Sequence, residues 1–522
     1  MTPPAALPRA PLSPRLVAAL AALVVLVGAI SSITPDPIGV FWDDGVYLLT
    51  AKALASGGGY RYLYLPGAPP AIHYPPGFPL LLAALLKVTP EFPANVAVLK
   101  FVNPICLALG VYGTVRLGVR TMGLADVPAA IAVGICALAA PVLVLSNALL
   151  SESLFFAMLV GALLLVDAVV ARGGTRSAVG AAAGIAALSL VRTVGGALLP
   201  AAVIALWWRG RRREAAVVFV GTLVLLAPYQ WWVWSAARGF PDELRGSYGP
   251  YLEWVVAGYR RDPALAWQVV TRNAGELWRA FGIVFAVRLP HAVKLLAATT
   301  LCATCVAGLA VLARRASAFV LFLLAYGAVV LLWPYNPERF VWALWPLLGL
   351  VLLAAARGAG EWGARRWRQA PRAAAAVVAL LLTGHAAYTV RGVAAGWAGA
   401  SQRGMTDRVW PLVQWTVVHA GTNDVVASDA HVIIALYTGR TTIPVSMLTP
   451  AEYVRPKPVA QLAHELDSLA KRYRPSLLVL SRNTPELDAV PQWALLAGAP
   501  MVNALPEVPG GGSAFALRWR DD

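Results

Sequence analysis

Residues 16–33 read LVAALAALVVLVGAISSI, and residues 41–62, a short step further on, read FWDDGVYLLTAKALASGGGYRY. The first run is apolar throughout and close to the roughly 20 residues that cross a bilayer as helix. It follows Arg9 and Arg15, and basic residues at that end predict a cytoplasmic N-terminus. The run resembles a signal peptide, but its length and the lack of a small-x-small cleavage site mark it as an uncleaved anchor. The second run then sets two carboxylates, Asp43 and Asp44, at the mouth of that helix. Charge in such a place is expensive to keep dry and is seldom idle.

The rest of the chain repeats the first theme. Of 522 residues, 59% are apolar and only 13% charged, too little polar surface to cover a soluble core of this size. Further apolar runs fall at 96–115, 127–145, 154–170, 178–191, 194–208, 215–234, 292–312, 318–333, 340–356 and 373–390. The net charge of +17 is carried largely by arginines in short connections, among them Arg116, Arg120, Arg172, Arg176, Arg209, Arg211, Arg314, Arg315, Arg357 and Arg365. That is the positive-inside pattern, not a footprint for nucleic acid. All these loops fall on one side only if residues 178–208 form two short helices turning at Arg192. One long helix would bury Arg192 at mid-membrane. The expected fold is therefore a polytopic α-helical membrane protein of about eleven spans, with its N-terminus inside and its C-terminus outside.

Three stretches are then expected outside. Residues 34–94 carry the acidic pair, and residues 235–291 are rich in Tyr, Trp and Arg. The third is the tail. A membrane domain over 1–395 precedes a soluble extracytoplasmic α/β domain over 396–522. In the tail the β-rich runs DVVAS, TTIPVS and SLLVLS surround a helical pattern near Val459–Lys471, with a turn at Thr438-Gly439-Arg440. Its size of roughly 120 residues is ordinary for a domain.

The acidic pair has two readings. Either acid caps the helix that follows, or the pair supplies a general base or metal-holding carboxylate to a hydroxyl acceptor. That stretch is too short to span and is expected to lie at the interface, with Phe41, Trp42 and Tyr47 at headgroup level. His73, ahead of the rigid Pro75-Pro76 turn, is either structural or a contact to a metal or donor phosphate. Arg61, among Tyr60, Tyr62 and Tyr64, lines a sugar pocket or belongs with them to an interfacial belt. Arg192, squeezed between two short spans, either binds a phosphate or snorkels to the headgroups. Gly358, Gly360 and Gly363 match GxGxxG, but no strand precedes them, so they are no dinucleotide site. Cys302 and Cys305 form a CxxC inside an apolar run without partner ligands, as packing residues do.

The segments DDGVYLLTAKAL, HYPPGFPLLLA, SNALLSESLFF, LSLVRTVGG and WPYNPERFVWALWPLLGL, in this order, resemble the GT-C glycosyltransferases that use polyprenyl-phosphate-linked sugars. The resemblance is nearest to the protein O-mannosyltransferase and lipid A aminoarabinose transferase group, and it covers most of the membrane part. It implies that Asp43 and Asp44 are the catalytic acids, that Glu152 is a second acidic position, and that Arg339 grips the lipid phosphate. Bland readings stand beside these. Glu152 after Ser151 also suits a helix start, and Arg339 also suits snorkelling to the headgroups. The implied partners are a polyprenyl-phosphate-sugar donor, membrane lipids and a lipid, glycan or protein acceptor. A divalent metal ion is a candidate cofactor, because growing phosphate charge needs a cation.

Localisation in a bacterial inner membrane fits the cysteine-poor exported parts. The alternative of a flippase for lipid-linked saccharides calls for ionisable groups near the midplane, where these runs are nearly all apolar. A scaffold role for the tail would make no use of the acidic motif.

Overall fold

Each of the eleven apolar runs is helical along most of its length in the computed structural model, which describes residues 12–286, 288–506 and 508–519. Arg9 lies outside the described residues. By length and composition, seven helices among the described residues can cross a membrane, or eight if Asp126–Ala137 and Ala140–Asn147 form one span bent by 64°. The bend has a local cause, since Pro141 in the first turn of the second helix has no N–H to continue the ladder of the first. The other expected runs form the shorter apolar helices Thr175–Val191, Thr193–Trp208 and Ser317–Leu331. Arg192 is extended, with φ −146°, between the helix Thr175–Val191 and a 3₁₀ turn at Thr193–Ala197. Residues 178–208 are thus two short helices that meet at this arginine.

Two expectations need correction. The connection 235–291 is not a simple loop but holds the helices Tyr251–Arg261 and Pro263–Ala286. The second packs along His291–Leu312. Arg272, Glu276 and Arg279 interrupt its apolar pattern and hide it from hydropathy. The helix Asp43–Ala55 does not lie on an interface. Val46, Tyr47, Leu48, Ala51 and Ala53 are buried in it, between the helices Gly77–Val88 and His431–Thr438. Tyr62, Tyr64 and Tyr74 are buried as well, rather than set in a headgroup belt. Tyr248 and Tyr251 of the 235–291 connection pack on the rings of Tyr62 and Tyr74, and His431 of the tail lies beside Tyr64. The apolar bodies of these tyrosines join one shared core.

Beyond the helix Trp397–His419, strands β1 (Val425–Ser428), β2 (Thr441–Ile443), β3 (Leu477–Leu480), β4 (Met501–Ala504) and β5 (Ser513–Arg518) form one sheet. Its order is β2-β1-β3-β5-β4. The first three strands are parallel, and β5 runs antiparallel to both β3 and β4. The amphipathic helix Val459–Tyr473 buries Leu462, Leu466 and Leu469. The core of this α/β unit is continuous with the 34–94 connection. Ile38, Tyr47, Tyr62 and Phe78 share one apolar cluster with Leu436, Leu466 and Trp493. The backbone joins too, for Thr442 of β2 donates its N–H to the Tyr64 carbonyl at 2.9 Å. Gly45 makes room for this docking, because a Cβ there would meet Val432.

A separate cluster fills the helix bundle, with Phe155, Phe156, Phe322, Trp345 and Leu350 at its centre. Gly308 lets the helix His291–Leu312 approach Glu338–Gly363, where a Cβ would collide with the Val351 backbone. Gly308→Leu should therefore lower stability by about 1–3 kcal/mol or more through overpacking. Gly327→Leu, where nothing lies within 4 Å, should change little. Thermal unfolding of the two variants in detergent checks the contrast.

Candidate active site

Thr34-Pro35-Asp36-Pro37 stops the first helix, because neither proline can donate to the ladder. The chain beyond is then pinned from several directions. Lys100 Nζ donates to the carbonyls of Thr34 at 2.8 Å and Asp36 at 2.6 Å. Asn147 Oδ1 accepts the Thr34 N–H at 3.0 Å, and Gln402 Nε2 donates to the Pro37 carbonyl at 3.0 Å. The segment so fixed delivers Asp43 to the first turn of its helix.

Four side chains from four parts of the sequence meet there. Arg339, in the first turn of Glu338–Gly363, gives Nη1 to Asp43 Oδ2 at 2.9 Å. It also gives Nε and Nη2 to Glu152 Oε1 at 3.0 and 2.7 Å. Arg192 Nη1 reaches the same Glu152 oxygen at 2.9 Å and Ser151 Oγ at 3.0 Å. Tyr74 donates its hydroxyl to Asp43 Oδ1 at 2.6 Å. Glu152 keeps 2% of its side chain exposed, against 20% for Asp43 and 29% for Arg339. The cluster is thus sealed at Glu152 and open at Asp43 and Arg339. Glu152 Oε2 is buried and has no hydrogen-bond partner among the described residues.

Burial alone would raise the Asp43 carboxyl, but Arg339, the Tyr74 hydroxyl and Arg192 outweigh it and hold Asp43 below the ordinary value of 3.8. It is a carboxylate at neutral pH. Asp44 faces elsewhere. Its oxygens accept the N–H groups of Gly39 at 2.7 Å, Phe41 at 3.0 Å and Gly45 at 3.0 Å, so it ties the turn together. Burial pushes it up to about 6, against those three bonds and with the help of the Asp43 charge.

The remaining candidates lie at different distances from the cluster. His73 stands beside it, with Nδ1–H donating to the Gly249 carbonyl at 2.7 Å and its ring 3.8 Å from that of Tyr251. Desolvation pushes its imidazole down to about 4, although the Gly249 bond and the Asp43 charge oppose it. It is a neutral hydrogen-bonding ring rather than a cation. Arg61 stands apart, exposed, with Nη1 on the Ala68 carbonyl at 3.1 Å within its own turn. Tyr74 and Ser151 were not singled out by the sequence. Both are neighbours of residues that were, His73 and Glu152, and neither carries a charge at neutral pH that would mark it in the sequence.

The donor set does not fit a resident divalent ion. Among the described residues no three His, Cys, Asp or Glu side chains group together, and three of the four carboxylate oxygens of Asp43 and Glu152 already accept from Tyr74, Arg192 or Arg339. Guanidinium groups supply the local positive charge.

No family model matches the sequence, and no curated protein sequence does. Solved structures are similar. ArnT from Cupriavidus metallidurans in the apo state has a TM-score of 0.50 and 15% identity over 96% of this chain and 97% of that one. The chain shares the fold of that protein. ArnT from the same organism bound to undecaprenyl phosphate has a TM-score of 0.48 and 16% identity over 96% of this chain and 97% of that chain. The arabinofuranosyltransferase AftD from Mycobacteria has a TM-score of 0.44 and 16% identity over 98% of this chain and 40% of that much longer one. Within this shared fold, the present chain gathers Asp43, Glu152, Arg192 and Arg339 into one cluster.

The two acids of the 43–44 pair therefore predict different phenotypes. A carboxyl whose folded value is raised contributes stability that is fully present below about 3.8 and is lost as pH rises through about 6. Asp44→Asn should flatten that part of the stability profile. It should also cost about 1–3 kcal/mol, because an amide nitrogen cannot accept the Gly39 N–H. Thermal unfolding between pH 4 and pH 7 measures both effects.

Proposed function

We propose that this protein is an integral-membrane glycosyltransferase that moves a sugar from a polyprenyl-phosphate-linked donor to a hydroxyl acceptor at the extracytoplasmic face. The observation that carries the reading is the pairing of Arg339 with both Asp43 and Glu152 at the partly open end of the cluster. A planar guanidinium matches phosphate oxygens two at a time. ArnT, which shares the fold in its apo state, is a protein also seen bound to undecaprenyl phosphate.

In the proposed reaction the acceptor oxygen attacks the anomeric carbon. The bond from that carbon to the phosphate oxygen breaks, its electron pair leaves with the polyprenyl phosphate, and the hydroxyl proton passes to Asp43. Arg339 and Arg192 stabilise the charge that grows on the departing phosphate. Paired with Arg339 and bonded to the Tyr74 hydroxyl, Asp43 is a weak base. A donor phosphate on Arg339 places negative charge beside Asp43 and raises its affinity for a proton. Binding the donor thus makes the base stronger at the moment it is needed. Glu152, buried on two arginines, keeps both guanidinium groups in place before the donor arrives. Asp44 serves the same site by holding the turn that carries Asp43.

The proposed orientation keeps the N-terminus in the cytoplasm and places residues 34–94 and the α/β unit outside, in a bacterial inner membrane. The acceptor classes that fit are a protein hydroxyl, a lipid of the outer leaflet and an envelope glycan.

The test uses vesicles containing the full chain and a panel of radiolabelled undecaprenyl-phosphate-linked hexoses and pentoses, with released undecaprenyl phosphate as the readout. One donor should turn over, and Asp43→Asn should lower its kcat by about 10²–10⁴-fold. Arg339→Lys should weaken donor binding on the order of tenfold or more, since a point charge replaces the fork. Full turnover by Asp43→Asn, or transport of intact donor without release, would remove the proposal.

A further inference from the structure

The residue before Asp43 has an unusual backbone. Trp42 takes φ 64° and ψ −67°, and the Asp43 N–H bonds to the Phe41 carbonyl at 2.7 Å. This is a γ-turn of the rare positive-φ kind, adverse for any residue with a Cβ and most of all for a bulky one. Such a conformation persists only where its neighbours over-determine it. A glycine would adopt it freely, so the presence of tryptophan points to use of the side chain.

The neighbours come from both halves of the molecule. Phe41 packs both against the bundle cluster of Leu145, Ala148, Leu150 and Ala343 and against the tail cluster that holds Leu412 and Ile433. The Trp42 indole has its ring 4.6 Å from that of His431, edge to face, and 6.0 Å from that of Tyr248. His431 opens the first helix of the α/β unit, right after β1, and is fully buried. Its Nδ1–H donates to the Ser428 carbonyl at 3.1 Å, so Nε2 is the acceptor for the Tyr248 hydroxyl, 2.5 Å away. Tyr248 in turn accepts from Tyr64 Oη at 3.2 Å. One chain of hydrogen bonds thus runs from the 34–94 connection through the 235–291 connection into the α/β unit. It ends on the ring that holds Trp42.

We infer that the α/β unit is a positioning element of the active site: His431, braced by Tyr248, clamps the Trp42 indole and thereby fixes the carboxylate of Asp43. The inference rests on the reading of Asp43 as the base. The clamp gives the tail a task distinct from acceptor recognition. His431 touches no reacting atom in this scheme. It acts through the γ-turn, where a shift of about 1 Å costs on the order of a hundredfold in rate.

The experiment compares Trp42→Ala, His431→Phe, Tyr248→Phe and His431→Gln with Asp43→Asn in the full-length chain. Turnover uses the donor that reacts in the panel above, undecaprenyl phosphate is the binding probe, and amide exchange across residues 39–45 reports the turn. Trp42→Ala and His431→Phe should lower kcat by about 30- to 100-fold, leave undecaprenyl phosphate binding within about threefold, and speed exchange at Asp43. His431→Gln, which keeps an acceptor for Tyr248 but not the ring against Trp42, should recover only part of the rate lost in His431→Phe. Tyr248→Phe removes a single hydroxyl and should show a smaller loss of the same kind, which keeps the test open if a larger change blocks folding.

The clamp is overturned if these variants keep wild-type kcat while Asp43→Asn is dead. It is equally overturned if rate and probe binding fall together and His431→Gln is no better than His431→Phe. If Asp43→Asn turns over normally, the assignment of the base fails instead. Exchange then judges the clamp alone, and unchanged protection in the variants overturns it.

Discussion

A guanidinium that leaves water must find negative partners, and Arg339 finds two. Its bonds to Asp43 and Glu152 join chain positions 296 and 187 residues away. Unpaired, Glu152 would face the desolvation cost of a charge in a sealed site, several kcal/mol in real proteins. Paired, Asp43 and Glu152 leave the cluster of two acids and two arginines formally neutral, and its geometry is set by where the helices begin. Glu152 and Arg339 stand in the first turns of their helices, while Arg192 sits in the break between two. The helix bundle thus brings the charges together at helix ends rather than at mid-span.

The acidic segment is held from above as well as below. The α/β unit shares an apolar core with residues 34–94, and a backbone bond ties its edge strand β2 to Tyr64. Asp44 closes the turn from within by accepting three N–H groups. A carboxylate that follows a loop is only as well placed as the structure that supports the loop. Here the support comes from the membrane helices on one side and the tail on the other. In the proposed reaction, this shared support is what lets one acid meet both a lipid-borne donor and an acceptor from outside.

Hydropathy made the helical character of the bundle legible, because an apolar run of fixed length reports a membrane helix without any knowledge of its neighbours. The tail was legible for a similar reason, and the runs at 425–428, 441–443 and 477–480 are strands β1, β2 and β3. Strands β4 and β5 escaped the reading; Met501 of β4 is exposed, and β5, although it reads SAFALR, buries only Ala514 and Leu517. The helix Pro263–Ala286 escaped because its charged residues broke the pattern. For the site, the acidic pair and Arg192 were conspicuous as ionisable residues in unlikely places, whereas Glu152 and Arg339 were reached through the family resemblance. Arg61 has the right type, but its side chain closes its own turn.

What the sequence by itself determined was the set of groups that need explaining: an acidic pair after a first membrane helix, an arginine between two short ones, and an arginine opening a late one. Each is conspicuous because the cost of desolvating charge depends on local composition. Only the tertiary structure decided which acid faces the arginines and which holds the turn, for Asp43 and Asp44 are adjacent in sequence and differ only in what surrounds them. It also decided that Trp42 meets His431, a contact between residues nearly four hundred positions apart. Pairings of that kind follow from the packing of whole elements, and no local pattern in the chain encodes them.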